Sequence, residues 1–378
     1  MIYLDSAATT LQKPASVSRA VSAAMGRAAS PGRGGHPWGT QANRIVFRCR
    51  EAAAKLFHVP EPEQIVFTCN ATHALNIAIR SLVRPGSRVL ISGYEHNAVS
   101  RTLNAVPDLR CRVALSRPFD SEGMVDSFRS ELERGADVVV CTHVSNVFGF
   151  ILPITEIAQL CRRYQTPLIV DASQSAGCVP IDFTEIGAEF IAMPGHKGLY
   201  GPQGTGLLLC GSAAQPLLFG GTGSLSAQQG MPDFLPDRLE AGTPNVPGIA
   251  GLMAGIGFVS GMGVERIAAH EKKLIRALGE RLKRCDGMKV FLAADPAQQS
   301  GVLSVVPEGR DCEEVGEWLA NRGVGVRAGL HCAPIAHQTA GTLHSGTVRL
   351  SVSAFNTMDE VCAVSGLLGQ LCRDTGKK

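Results

Sequence analysis

The chain has 378 residues, 45% hydrophobic and 18% charged, a composition suited to a water-soluble globular protein with two lobes of ordinary size. A formal charge of +3 with no Lys/Arg run argues against nucleic acid as a partner. The 12 cysteines show no C-x-x-C pair and no Cys/His ligand spacing, which argues against a metal site, structural zinc included.

Cys141, Cys161, Cys210 and Cys362 fall in apolar runs, where a free thiol behaves as a small hydrophobe. The first residues carry neither a basic n-region nor an apolar h-region, so a cytoplasmic setting is expected. In chain order, residues 64–68 read as a strand and 71–82 as a helix. Short apolar runs at 88–92, 136–141 and 167–171 have the character of buried parallel strands, with a helix at 156–164 between the last two. Further strands at 189–193 and 206–210 flank a glycine-rich turn. This alternation predicts an α/β fold with a mostly parallel sheet flanked by helices.

Residues 246–264 hold no charge, long enough to span a bilayer by length alone. Their glycines and Pro247 predict instead a helix packed tightly inside the protein, with no membrane contact. Beyond them come an amphipathic helix at 264–285, strands at 302–306 and 348–352, and helices at 312–322 and 358–372. The expected division is a large domain of residues 16–261 and a smaller α+β domain of 262–378 completed by 1–15.

Polar residues gather at the carboxyl ends of the predicted strands, the edge where open α/β sheets bind ligands. Cys69-Asn70-Ala71-Thr72-His73 opens a helix whose N-terminus suits a phosphate, or whose Asn70 or Thr72 simply caps it. His96 is placed either to stack on an aromatic ligand or to serve as an ordinary loop histidine. Asp171 either caps a helix or keeps a pyridine nitrogen protonated, since an adjacent anion favours the charged form. Lys197 follows in Gly195-His196-Lys197, and a lysine in a desolvated cavity has a depressed pKa and forms imines. Cys332 is one more buried thiol or a nucleophile; Arg327 and His331, as cations, would favour its thiolate. Arg349 suits a carboxylate through its bidentate fork, or else a surface salt bridge.

Taken with Tyr3-Leu4-Asp5-Ser6-Ala7-Ala8-Thr9-Thr10, Glu240-Ala241-Gly242-Thr243-Pro244-Asn245 and the segment from Arg349 to Thr357, these motifs run in collinear order. The chain resembles the class V aminotransferase superfamily, in its cysteine desulfurase and selenocysteine lyase branch. The resemblance implies a fold-type I enzyme with pyridoxal 5'-phosphate (PLP) at the edge of the large sheet. It implies an imine on Lys197, Asp171 at the ring nitrogen, His96 on the ring face, and Asn146 and Gln174 near the phenolic oxygen. It places Thr72 and His196 at the phosphate, His73 among the cofactor-binding residues, and Thr243 in the site of the other subunit of a homodimer. Lys197, Cys332 and His96 are its catalytic residues, and Arg349 with Arg327 its substrate-carboxylate anchors. The implied reaction converts L-cysteine to L-alanine and leaves a persulfide on Cys332 for a protein acceptor. Selenocysteine lyase, an aminotransferase with Cys332 idle, and a non-catalytic interaction subunit are the alternatives. Two positions depart from the pattern: Pro194 stands where relatives commonly carry Ser, and Leu330 where many carry a second His.

Overall fold

The computed structural model describes residues 1–32, 34–212 and 214–375. After a short N-terminal strand β1 (Ile2–Tyr3), seven strands form the large sheet. They are β2 (Ile65–Thr68), β3 (Arg88–Ser92), β4 (Arg110–Ala114), β5 (Val138–Thr142), β6 (Leu168–Asp171), β7 (Phe190–Pro194) and β8 (Gly206–Cys210). Their order is β2-β8-β7-β6-β5-β3-β4, and only β8 runs against its neighbours. The sheet is therefore mostly parallel, as the alternation predicted.

Strands β5 and β6 are buried along their whole length, which is why they are continuous Val/Ile/Leu runs rather than alternating ones. From β3 the chain steps outward to β4 and then returns to the other side of β3 as β5, so the order reverses there. That reversal opens a crevice beyond the carboxyl ends of the strands. The edge strand β4 was not expected: its Arg-Cys-Arg sequence is half exposed and offers no apolar run.

Helix Val246–Met262 is the uncharged stretch seen in the sequence. Asn245 caps it by accepting the Gly248 N–H at 3.0 Å, and it packs on helices Ala15–Arg27 and Pro37–Phe57. A Cβ on Gly255 would stand 2.2 Å from the Leu199 carbonyl oxygen, so glycine is what lets the two backbones meet. Among the described residues, no single helix is long and apolar enough to cross a membrane.

A second sheet follows from β9 (Met288–Phe291), β10 (Val302–Pro307), β11 (Val324–Gly325), β12 (Arg327–Gly329) and β13 (Thr347–Ser351). Four of these pair antiparallel in the order β12-β13-β10-β9, while β1 joins β11. Leu274 and Leu278 of helix Val264–Leu282, with Val364 and Leu368 of helix Met358–Thr375, share a core with Val305, Leu350 and Leu4. The N-terminal segment thus runs along β13, where the Ser351 N–H donates to the Leu4 carbonyl at 2.8 Å. That register delivers Asp5 to the side of Arg349.

Candidate active site

A cavity of ≈ 110 Å³ opens at the crevice, with His96, Asn146, Asp171, Gln174 and Lys197 in its wall. Asp171 is the last residue of β6 and is buried; one carboxylate oxygen accepts the Ser173 N–H at 2.9 Å. Lys197 is half-buried as a residue, but its amine is desolvated in the cavity wall. Burial pulls its pKa down to about 8, with Arg349 adding to the effect and Asp171 opposing it. His96 caps helix Asn97–Asn104, its Nδ1 accepting the Ala98 N–H at 3.0 Å. An accepting Nδ1 puts the proton on Nε2. Burial holds this imidazole below its usual pKa despite the pull of Asp171.

The residue before Lys197 is gripped from the N-terminus. The His196 carbonyl accepts from Thr10 Oγ1 at 3.1 Å and from Lys13 Nζ at 2.9 Å, while its Nδ1 lies 3.0 Å from Thr9 Oγ1. Burial, then Lys197, lowers the His196 pKa to about 4, so its ring is neutral. Gln174 donates from Nε2 to the Ala7 carbonyl at 2.9 Å. Asn146 donates to the His331 carbonyl at 2.8 Å and keeps a buried Oδ1 with no partner.

Thr72 and His196 also line the cavity, as do Asn70, Ala71 and Pro194. Asn70 caps helix Ala71–Leu82, its Oδ1 accepting the His73 N–H at 2.9 Å. The first N–H groups of that helix have no partner within it, and so turn an anion-seeking end toward the cavity. His73 and Thr243 lie elsewhere. They line a neighbouring cavity of ≈ 200 Å³ with Glu240 and Asn245, and one chain does not bring them to Lys197.

Cys332 is exposed, unlike the buried Cys49, Cys141, Cys161, Cys210 and Cys312. His331 and Cys332 take φ values of 50° and 55°, a left-handed conformation that costs a non-glycine residue about 1–3 kcal/mol. Their surroundings hold it. The Asn97 N–H donates to the Cys332 carbonyl at 2.7 Å, and Asn146 to that of His331. Both anchors belong to the elements that build the Lys197 cavity.

His331 does not act as the cation expected from the sequence. Its ring is buried against Thr347, 2.9 Å from Oγ1, and burial with the nearby Arg349 drives its pKa down to about 2. Arg327 is exposed and Arg349 is buried, and both are held by one carboxylate. Asp5 accepts from Arg327 Nη2 at 2.9 Å and from Arg349 Nη2 at 2.9 Å. Arg349 Nη1 donates to the Asn146 carbonyl at 2.9 Å, and its Nε is buried without a partner. Asp5 was not singled out as a site residue, because its partners lie 322 and 344 positions away.

The wall thus combines a desolvated amine, a buried carboxylate, an imidazole, a helix N-terminus and an orphaned amide oxygen. These are the donors and acceptors that an aromatic aldehyde with a ring nitrogen and a phosphate requires. The sequence model of the aminotransferase class-V family matches residues 2–364. A "Probable cysteine desulfurase" of Methanothermobacter thermautotrophicus is 34% identical, covering 95% of this chain and 92% of its own. A "Cysteine desulfurase" of Salmonella agona is 31% identical, covering 96% of this chain and 91% of its own. The solved apo structure of a cysteine desulfurase from Thermococcus onnurineus NA1 superposes with a TM-score of 0.89 at 28% identity, covering 99% of this chain and 95% of its own. The chain belongs to the class-V aminotransferase family.

Proposed function

We propose that this protein is a PLP-dependent cysteine desulfurase that converts L-cysteine to L-alanine and carries the sulfur on Cys332. The observation that carries this reading is the exposed thiol on a loop pinned to the walls of the Lys197 cavity. Bound at Lys197, PLP supplies an electron sink for bonds breaking at the substrate α-carbon. Asp171 would hold its ring nitrogen, His96 its ring face, and Thr72, His196 and the helix N-terminus its phosphate. Asn146 and Gln174, which line the same cavity, would face its phenolic oxygen.

The residues then divide the work. Lys197, with its lowered pKa, takes and returns the α-proton. The Cys332 sulfur forms a bond to the substrate sulfur as the substrate's Cβ–S bond breaks. The Cys332 thiol gives up its proton, Cβ gains one to become the methyl of alanine, and the sum is cysteine plus thiol to alanine plus persulfide. Two guanidiniums face the single carboxylate of Asp5, so one positive charge is left over for the substrate carboxylate. Arg349 and Arg327 are therefore the anchors, with the unpartnered Arg349 Nε as the spare donor.

On this reading the lobe of residues 16–261 holds the cofactor, and the lobe of 262–378, with 1–15, brings the thiol and the anchors. Thr243 and His73 belong to a site completed by a second subunit, which makes the active species a homodimer. The persulfide passes to a protein acceptor in a reducing cytoplasm. Incubation of PLP-loaded protein with L-cysteine and a reductant tests the proposal. Alanine and sulfide in equal amounts are expected; a keto acid without alanine would mean transamination instead.

A further inference from the structure

Cys285 and Cys372 are distant in sequence but meet at the side of the smaller lobe. Cys285 follows helix Val264–Leu282, and Cys372 lies in the last turns of helix Met358–Thr375. Both pack on the core that those helices share. A Cβ on Gly369 would stand 3.7 Å from Cys285 Sγ, and Gly369 is one turn before Cys372, on the same helix face. The glycine thus leaves the room in which the Cys285 sulfur lies against that face. The Cys285 thiol donates to the Arg281 carbonyl at 3.8 Å, and the Cys372 side chain is hydrogen-bonded to Cys285. With its own proton given to Arg281, the Cys285 sulfur is the acceptor, so the contact is sulfur to sulfur. Both residues are partly exposed, within reach of a small reagent; Cys141 and Cys161, which also interact, are buried.

We propose that Cys285 and Cys372 are a redox modification site, closing to a disulfide when a peroxide oxidises the protein and reopening under a thiol reductant. The peroxide O–O bond breaks as one oxygen bonds to the Cys285 sulfur, giving a sulfenic acid and one water. The Cys372 sulfur then bonds to the Cys285 sulfur and the S–O bond breaks. A second water carries away the hydroxyl and the Cys372 proton. Two thiols and one peroxide thus become one disulfide and two waters; sulfur is oxidised and oxygen reduced.

Burial, then Cys285, raises the Cys372 thiol to about 11, with Arg310 and Arg373 opposing, which suits it to the second step rather than the first. The bond would close a loop that includes β9 to β13, and with them Cys332 and Arg349. It would fasten the end of the C-terminal helix to the rest of the lobe and restrict the unfolded chain more than the folded one.

The test uses the purified full chain, reduced and then treated with hydrogen peroxide. Remaining thiols are alkylated, and the digest is weighed without reductant. A peptide pair joining Cys285 to Cys372, two hydrogens lighter than the separate peptides, is expected, and dithiothreitol should separate it. The pair should form at least about tenfold more slowly in urea-unfolded protein, where proximity is lost. In Cys372→Ser, Cys285 should instead be trapped by dimedone as the sulfenic acid. The oxidised wild type should unfold at higher urea concentration than the reduced one, a difference missing from Cys285→Ser. Three results would each overturn the site: no joined pair while the exposed Cys69 and Cys111 are oxidised, a pair that spans two chains, or equal rates in folded and unfolded protein.

Discussion

On the proposed reading, Lys197 and Cys332 are prepared for reaction in opposite ways. The lysine gains its reactivity from desolvation, which brings a neutral amine within reach of neutral pH. The same treatment would disable a thiol: burial pushes Cys49 and Cys161 up to about 12. Cys332 is exposed instead, and a loop with positive φ at two residues aims it. An amine that works against a bound cofactor gains from being enclosed. A thiol that must meet first a substrate and then an acceptor does not. The Asp5 pair joins the two regions, since its carboxylate, from the N-terminal segment, fixes Arg349 and Arg327 beside the cavity.

The largest effect should come from the enclosed side. Lys197→Ala should lower alanine formation by at least about 10²–10⁴-fold, the contribution of a positioned proton-transfer group. Borohydride reduction and peptide mapping should then find the pyridoxyl group on Lys197 in the wild type and on no residue of the variant. Label on a different lysine would break the comparison at once.

Next comes the buried guanidinium. Truncating one partner of a desolvated ion pair costs roughly 3–5 kcal/mol, so Arg349→Ala should lose about a hundredfold or more in kcat/KM for L-cysteine. Arg349→Lys should recover little, because a point charge cannot reproduce the fork. The variant should also stop preferring L-cysteine over cysteamine, which lacks the carboxylate. Near-wild-type kinetics would reduce Arg349 to a structural partner of Asp5.

Asp5→Asn leaves two guanidiniums facing no carboxylate and should cost about 1.5–3 kcal/mol of stability, read from urea unfolding. A variant as stable as the wild type would mean that the pair contributes nothing to holding the two regions together.

The smallest effect is one of pH. The folded pKa of Lys197 lies below the ordinary 10.5, so the attacking neutral amine reaches half its population at about pH 8. Imine formation should accelerate as pH rises to that value and level off above it. Acceleration that continues toward the ordinary lysine value would show that the amine is not desolvated.

The enclosed side was the more legible in the sequence. Asp171, His96 and Lys197 each follow an apolar run at a strand end, and helix Ala71–Leu82 announces itself by Asn70 and its periodicity. The edge strand β4 and the helices Ala15–Arg27 and Pro37–Phe57 gave weaker local signals. Asp5 was hidden because its partners come from the far end of the chain. Glu271 was passed over, although Ile267, Glu271, Leu274 and Leu278 fall on one helical face, where a carboxylate on an apolar stripe marks a buried acid. His331 was misread because sequence shows a histidine but not the burial that keeps it neutral.

The most direct test of the account reads the fate of the sulfur. PLP-loaded protein is treated with L-cysteine without reductant, alanine is measured, and the peptide containing Cys332 is weighed by mass spectrometry. The account predicts alanine in step with one added sulfur on Cys332, and loss of both in Cys332→Ala with the cofactor absorbance kept. Alanine formed while Cys332 stays unmodified, or undiminished sulfide release from Cys332→Ala, would contradict it.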